Sequence, residues 1–388
     1  MKNNILILGN RDSVFVSNFA LEIEKQDYSP QILDLERWEI TSSNGTLLQK
    51  FFPPLVILAR IPKIGYRLKL IFIRRMLSTL RGHYQICHIH YNLKIYADLA
   101  SSISRITDRL VVSVWGSDFF RMGSAAREAQ KKIYNRADLI TFLTTQTMQT
   151  FNDYYSGRYA DKTKILRLGL KPLEYIDDIR SENPHEIRSH FGIDNNALII
   201  ACGYNGTEAQ NHKTIIQSIQ SVHSKLPKHS LLLFPMSYGD EKHILTVKKL
   251  LEQSSLSHKI ITGFLSDEDI ARLRTISDIF INIQSTDHLS GSLLEHLYAG
   301  SIVISGRWLP YEILDDRGVF QLYIDKPEQI GKKLFETMSK LESYKIKAAS
   351  NPNIVSDVSR WSVNIVKWDQ AYSLLLNNKS NKLIDFKE

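Results

Sequence analysis

Apolar residues along this chain follow two rhythms that alternate. The opening segment Asn4-Ile-Leu-Ile-Leu-Gly9 is a continuous apolar run closed by glycine, the pattern of a central parallel strand covered on both faces. A polar turn follows, then a helix over about 14–25 with Phe15, Phe19, Leu21 and Ile23 at helical spacing, then a strand over 29–35. This βαβ start recurs. Residues 85–90, 109–115 and 139–143 read as strands, with helices over 97–106 and 125–136 between them. Strands separated by helices of about ten residues predict a parallel α/β sheet.

Between 165 and 196 the pattern weakens around Gly169, Pro172 and Pro184, and a domain boundary is expected there. Alternation then restarts, with strands at 197–202, 230–234, 259–262, 278–283 and 301–304. Helices are expected over 214–226, 241–253, 267–276 and about 291–298. Trp361, Val366 and Trp368 mark a terminal helix over 357–378 that crosses back to the first domain, ahead of a polar, frayed tail. The expected division is 1–170, 171–355 and 356–388. Two doubly wound α/β halves of this kind face one another across a cleft, with ligands at the carboxyl ends of both sheets.

Composition narrows the class. With 388 residues, 43% hydrophobic and 23% charged, and only 18 Gly and 11 Pro, the chain is neither collagen-like nor disordered. Cys87 and Cys202 sit in apolar strand-like runs and are expected as buried free thiols of a reducing compartment. The first apolar run is too short for a secretory signal, and none approaches the ~20 residues that span a bilayer. A cytoplasmic protein is therefore expected. The net charge of +8 is uneven: residues 1–170 hold 24 basic and 14 acidic side chains, leaving 25 against 27 for the rest. Eight basic residues, Lys50, Arg60, Lys63, Arg67, Lys69, Arg74, Arg75 and Arg81, fall in a span without an acid from Glu39 to Asp98. Interleaved with Leu70, Ile71, Phe72, Ile73, Met76 and Leu80, they form a basic amphipathic stretch suited to an anionic membrane surface. Nucleic acid would match the charge, but no nucleic-acid motif accompanies it, and no such partner is expected.

The chemistry concentrates in Asp287-His-Leu-Ser290-Gly291-Ser292-Leu-Leu-Glu295-His-Leu-Tyr-Ala-Gly300. Asp287 falls in the loop after a strand. Ser290, Gly291 and Ser292 open a helix whose free N–H groups and dipole favour a diphosphate. Glu295 lies one turn inside, where its carboxylate would accept two hydroxyl hydrogen bonds from a ribose. Asp267-Glu-Asp269 has the spelling of a metal-binding Asp-x-Asp, but with Ser266 ahead of it the segment reads as a helix cap followed by first-turn acids. His88 and His90 are two apart on a strand and face the same way, too few for a zinc site. No metal site is expected.

Acid, seven residues, acid, then Ala-Gly and an apolar strand resembles the signature of GT-B retaining nucleotide-sugar glycosyltransferases, especially glycosyltransferase family 4. Here Asp287 stands where the usual first acid is Glu, and Leu289-Ser290 replaces the usual Phe-Gly. The resemblance extends to Gly263-Phe-Leu-Ser-Asp-Glu-Asp-Ile-Ala-Arg-Leu, Cys87-His-Ile-His90 and Trp115-Gly-Ser-Asp118. It implies a GT-B fold in which Glu295 holds the ribose, Asp287 contacts the donor sugar, and Gly263 and Phe264 seat the base. The family neutralises the leaving diphosphate with an Arg and a Lys after the first strand of the second domain. This chain offers Lys213 there, with Asn205 nearby, no Arg beside Gly203, and Arg307 farther off. In the first domain the resemblance points to His90 in a strand-end role and to Asp118 against sugar hydroxyls, with Trp115 where the family more often has His.

The expected activity is transfer of a hexose or N-acetylated aminosugar from a nucleoside diphosphate sugar to a lipid-linked or growing bacterial surface glycan. Phe234-Pro-Met-Ser-Tyr-Gly239 resembles transferases acting on lipid-linked glycans. Retention needs no enzymic nucleophile; inversion would need a base, His90 or Asp118. The donor is a substrate, and neither cofactor nor metal is expected. The expected place of work is the inner face of the cell membrane. A GT-B sugar-nucleotide epimerase or a two-domain glycan- or anion-binding protein are the competing readings.

Overall fold

The structure, a computed structural model, describes residues 2–51, 64–80, 83–287 and 289–377. Arg60, Lys63 and Arg81 of the basic stretch and the tail from 378 lie outside them. The chain divides into two units, one taking residues up to Gly169 and again from Trp361, the other Leu170–Arg360.

In the first unit the apolar runs pair into an eight-stranded sheet. Its strands are β1 Asn3–Leu8, β2 Tyr28–Asp34, β3 Glu39–Ser42, β4 Leu47–Lys50, β5 Tyr84–His90, β6 Thr107–Val114, β7 Leu139–Phe142 and β8 Thr163–Ile165, in the order β4-β3-β2-β1-β5-β6-β7-β8. β1 pairs in parallel with β2 and β5, with Ile5 opposite Ile86 and Leu8 opposite Ile89. The edge differs from expectation: β3 and β4 run antiparallel. All four residues of β4 are exposed, so no apolar pattern marks it.

The terminal helix Trp361–Asn377 closes one face of this sheet. Trp361, Trp368 and Tyr372 are buried around Phe19, with ring centroids 6.4, 5.1 and 6.3 Å from it. Trp368 Nε1 donates to the Arg167 carbonyl at 2.8 Å, and Tyr372 Oη meets His88 Nδ1 at 2.7 Å. Gly169 has to be glycine here, because a Cβ would lie 2.3 Å from the Trp361 ring. The single helix expected over 357–378 is in fact two, broken at Arg360, and the earlier one, Asn351–Ser359, belongs to the second unit.

The second unit has six parallel strands, β9 Leu198–Cys202, β10 Ser230–Pro235, β11 His258–Ile261, β12 Ile279–Asn282, β13 Ile302–Gly306 and β14 Leu322–Ile324, in the order β11-β10-β9-β12-β13-β14. The weak stretch at 165–196 contains two short helices, Pro172–Ile179 and Pro184–His190, each opened by proline and burying Leu173, Ile176, Ile179 and Ile187. Strand order reverses between β1 and β5 in one sheet and between β9 and β12 in the other. Open α/β sheets bind ligands beyond the carboxyl ends of their strands at such points. Cys87 and Cys202 are buried and free. Among the described residues no helix is long and apolar enough to cross a membrane.

Candidate active site

In the second unit the loop after β12 leads into the helix Gly291–Ala299. Ser290 caps it, its Oγ accepting from Leu293 N at 3.4 Å. Asp287 Oδ2 accepts from Ser290 N at 2.9 Å and from the Tyr311 hydroxyl, which in turn accepts from Asn282 Nδ2 at 2.6 Å. Burial, reinforced by the Asp287 charge, pushes the Tyr311 hydroxyl well up, so it stays a proton donor. Leu289, between acid and cap, adopts a left-handed φ of 87°, a conformation that costs a bulky residue about 1–3 kcal/mol. The first acid of the pair is thereby held at the helix entrance.

Glu295 is buried one turn further on. Its Oε2 accepts from Arg274 Nε at 3.1 Å, and the arginine, in the helix Asp267–Ile276, is itself buried. Burial raises the Glu295 carboxyl while the guanidinium opposes the rise. With Oε2 engaged by Arg274, Oε1 is the oxygen for which no partner is seen among the described residues. A Cβ on Gly291 would lie 3.6 Å from Oε1, so glycine keeps that approach open. The Ser292 hydroxyl is buried without a partner among the described residues.

The cation bonded to Glu295 is Arg274, which spacing did not single out. Lys213 lies exposed in the first turn of the helix His212–Gln220 and Arg307 pairs with Asp325 at 3.3 Å, so neither is bonded to the acid pair. The neighbour of Lys213, His212, is the buried one, 3.0 Å from His243. Asn205 is also buried, and its Oδ1 accepts from Thr207 N at 2.9 Å and Thr207 Oγ1 at 2.6 Å, an Asx turn that shapes the loop after β9. Tyr238, at the end of β10, is exposed within electrostatic reach of Arg274 and Glu295. Gly263 and Phe264 follow β11, with Phe264 92% exposed. Ser266 caps the next helix by accepting from Asp269 N at 3.1 Å. Among the described residues no three His, Cys, Asp or Glu side chains gather to hold a metal.

The first unit has a cavity of about 590 Å³ at its own switch point, walled by Tyr66, Tyr91, Tyr96, Trp115 and Met122 with His90 in its lining. His88 and His90 share a face, their ring centroids 3.9 Å apart, but their fates differ. His88 is bonded by Tyr372 and, through Nε2 at 2.7 Å, by Ser113. His90 is 2% exposed, and neither ring nitrogen has a partner among the described residues. Burial lowers its pKa to about 3, so it is neutral. Asp118 is fully buried and accepts from Trp115 N at 2.9 Å and Asn92 N at 2.7 Å. Burial raises its pKa to about 6. The Asp118 carboxylate, expected against sugar hydroxyls, ties the loops after β5 and β6 together. Tyr91 carries a left-handed φ of 65° at the rim.

Two Rossmann-like units and a terminal helix returned to the first unit define the GT-B fold. Residues 4–144 match the family model described as Glycosyl transferase 4-like. The whole chain is similar to sucrose-phosphate synthase from Thermosynechococcus elongatus, with a TM-score of 0.75 and 10% identity over 96% of this chain and 99% of that one. It is also similar to a glycosyltransferase from Rickettsia africae ESF-5, with 0.72 and 15% over 97% and 100%. A third similar structure is HepE of Anabaena in complex with UDP and glucose, with 0.70 and 14% over 96% and 99%. Among curated proteins none matches the sequence.

Proposed function

We propose that this protein is a retaining glycosyltransferase that moves a hexose or N-acetylated aminosugar from a nucleoside diphosphate sugar to a lipid-linked or growing bacterial surface glycan. The observation that carries the reading is the buried Glu295–Arg274 pair beside the open helix entrance at Ser290 and Gly291. In this reading Glu295 Oε1 takes a ribose hydroxyl, the N–H groups near Gly291 and Ser292 take the diphosphate, and Asp287 faces the donor sugar. Gly263 and Phe264 flank the base. UDP is the first nucleotide and UDP-glucose the first donor to test, because the similar HepE structures contain them.

Breaking the glycosidic bond needs the charge growing on the β-phosphate to be offset. The helix entrance and Lys213 supply that, and the acceptor hydroxyl attacks from the same face as the leaving group. Neither base considered for inversion is suited to proton abstraction, since Asp118 is bonded to backbone, and His90, with a pKa of about 3, is a weak proton acceptor. The first unit's aromatic cavity is the acceptor site in this reading, with His90 as a neutral hydrogen-bond partner. Membrane docking uses the exposed Arg67, Ile71, Arg74 and Arg75 of the helix Ile64–Thr79, each positive charge contributing about 1 kcal/mol near anionic lipid. Lys50 drops out of that surface, its ammonium 3.0 Å from Glu39.

Thermal shift against UDP, GDP, TDP, CDP and CMP, on wild type and Glu295→Ala, tests the donor site. Stabilisation by one diphosphate that disappears in the variant is the expected result. No shift at millimolar nucleotide would overturn it. Anomeric analysis of the product tests retention, and formation of an epimerised sugar nucleotide without acceptor would favour the epimerase instead.

A further inference from the structure

A second concavity of the first unit, about 580 Å³, lies away from its carboxyl-end cavity. Arg74, Arg75, Ser78 and Thr79, from the last two turns of the helix Ile64–Thr79, form one wall. Ser102 and Arg105, at the end of the helix Lys94–Ile103, form the other. Ile106 also lines it and is followed directly by β6, so the concavity opens at the amino-terminal edge of the sheet, the opposite edge from His90 and Trp115.

No acid lines it. The nearby acids are engaged elsewhere: Asp98 with Tyr66, Lys94 and Lys132, and Asp108 with His83 at 2.6 Å. Arg74 Nη2 donates to the Asp98 carbonyl at 3.1 Å. The guanidinium groups of Arg75 and Arg105 make neither ion pair nor hydrogen bond with any described residue. Ser78 and Thr79 donate their hydroxyl protons to backbone carbonyls at 2.7 and 2.8 Å, which leaves Ser102 and the guanidinium forks as the donors facing the space.

Neither helix carries a basic residue in its last turn, where one would offset the dipole, so the dipole does not account for the cluster. Three arginines around one hollow repel each other. Guanidinium forks match phosphate oxygens in bidentate geometry, and a multiply charged oxyanion would relieve the repulsion. We propose that this concavity is an anion site for a phosphoryl group, a phosphomonoester or diphosphate, separate from the donor and acceptor sites. The inference does not rest on the transferase reading.

Inorganic pyrophosphate is the probe, titrated calorimetrically into the full chain with UDP present in excess to occupy any nucleotide site. Arg105→Glu and the milder Arg105→Gln should each weaken pyrophosphate at least tenfold, as should Arg74→Glu with Arg75→Glu. Arg67→Glu, on the same helix but outside the hollow, should change it less than twofold. Equal losses for Arg67→Glu and Arg105→Glu would mean diffuse surface charge and would overturn the site. Vesicles of phosphatidylglycerol against phosphatidylcholine identify the source. Phosphatidylglycerol binding that is lost in Arg105→Gln and displaced by pyrophosphate supports a lipid phosphate. Pyrophosphate binding without vesicle binding supports a soluble one. Neither probe binding overturns the proposal, whatever UDP does.

Discussion

In the second unit the switch-point site is charged, and its charges are matched from within: Arg274 bonds Glu295, and Tyr311 with Ser290 N–H bonds Asp287. In the first unit the corresponding position holds a neutral imidazole with both nitrogens unpartnered among the described residues, set among aromatic rings. The difference follows from the cost of burial. Burying an ion without a partner costs several kcal/mol, so a buried carboxylate needs its counter-ion in the fold itself. An unbonded neutral polar group costs only about 1–3 kcal/mol, which the fold tolerates. The carboxylate of the second unit is thus paired within the fold, whereas the imidazole of the first is left without a partner among the described residues.

The widest effect should come from acid, and it should strike both units. His88 and His90 in the first and His212 and His296 in the second are all buried with lowered pKa, burial being the main cause. Each stays neutral when folded and takes a proton below about pH 6.5 when unfolded, so stability is present above that pH and is lost as the pH falls toward 3. The loss at pH 5 is about 1–2 kcal/mol for each imidazole. The raised carboxyls of Asp118 and Glu295 act in the opposite sense and return part of it. Unfolding midpoints at pH 7 and pH 5 check this, and equal midpoints would show that the imidazoles are not held neutral.

Arg274→Met should separate the units. It leaves Glu295 buried and unpaired, costing about 3–5 kcal/mol, and adding Glu295→Leu should restore much of the loss. Denaturant unfolding of the single and double variants measures it. His90→Phe should have the reverse character, leaving stability unchanged or raised by about 1 kcal/mol because no bond is lost, while transfer to acceptor falls. A loss above about 2 kcal/mol would show that His90 is bonded after all. The smallest change belongs to Gly291→Ala: its Cβ would meet Leu170 at 3.3 Å and Glu295 Oε1 at 3.6 Å. We expect under about 1 kcal/mol in stability and a few-fold weaker UDP by calorimetry.

The central strands were legible because both of their faces are covered and their apolar runs are unbroken; β4 was not, being exposed along its length. The placement of the two acids, Asp287 in the loop and Glu295 one turn inside the helix, was legible because both belong to one strand–loop–helix segment. Their partners come from other elements. Arg274 lies 21 residues before Glu295 and Tyr311 lies 24 after Asp287, separations that no local pattern encodes. One signal for Arg274 was present: it interrupts an apolar helix face made by Ile270, Ala271, Leu273 and Ile276, and a cation there has to be buried against an acid. Strand parity put His88 and His90 on one face, yet which of them is free depends on Tyr372, 284 residues away.

The terminal helix also sets an order of events during synthesis. The strands of the first unit leave the ribosome before the second unit does, but the face around Phe19 waits for Trp361, Trp368 and Tyr372, which are made after the whole of the second unit. The second unit is a single continuous segment that is complete once Arg360 has emerged. The half begun first therefore finishes last, and a nascent chain from which only residues up to 360 have emerged carries a whole second unit and a first one with an open apolar face.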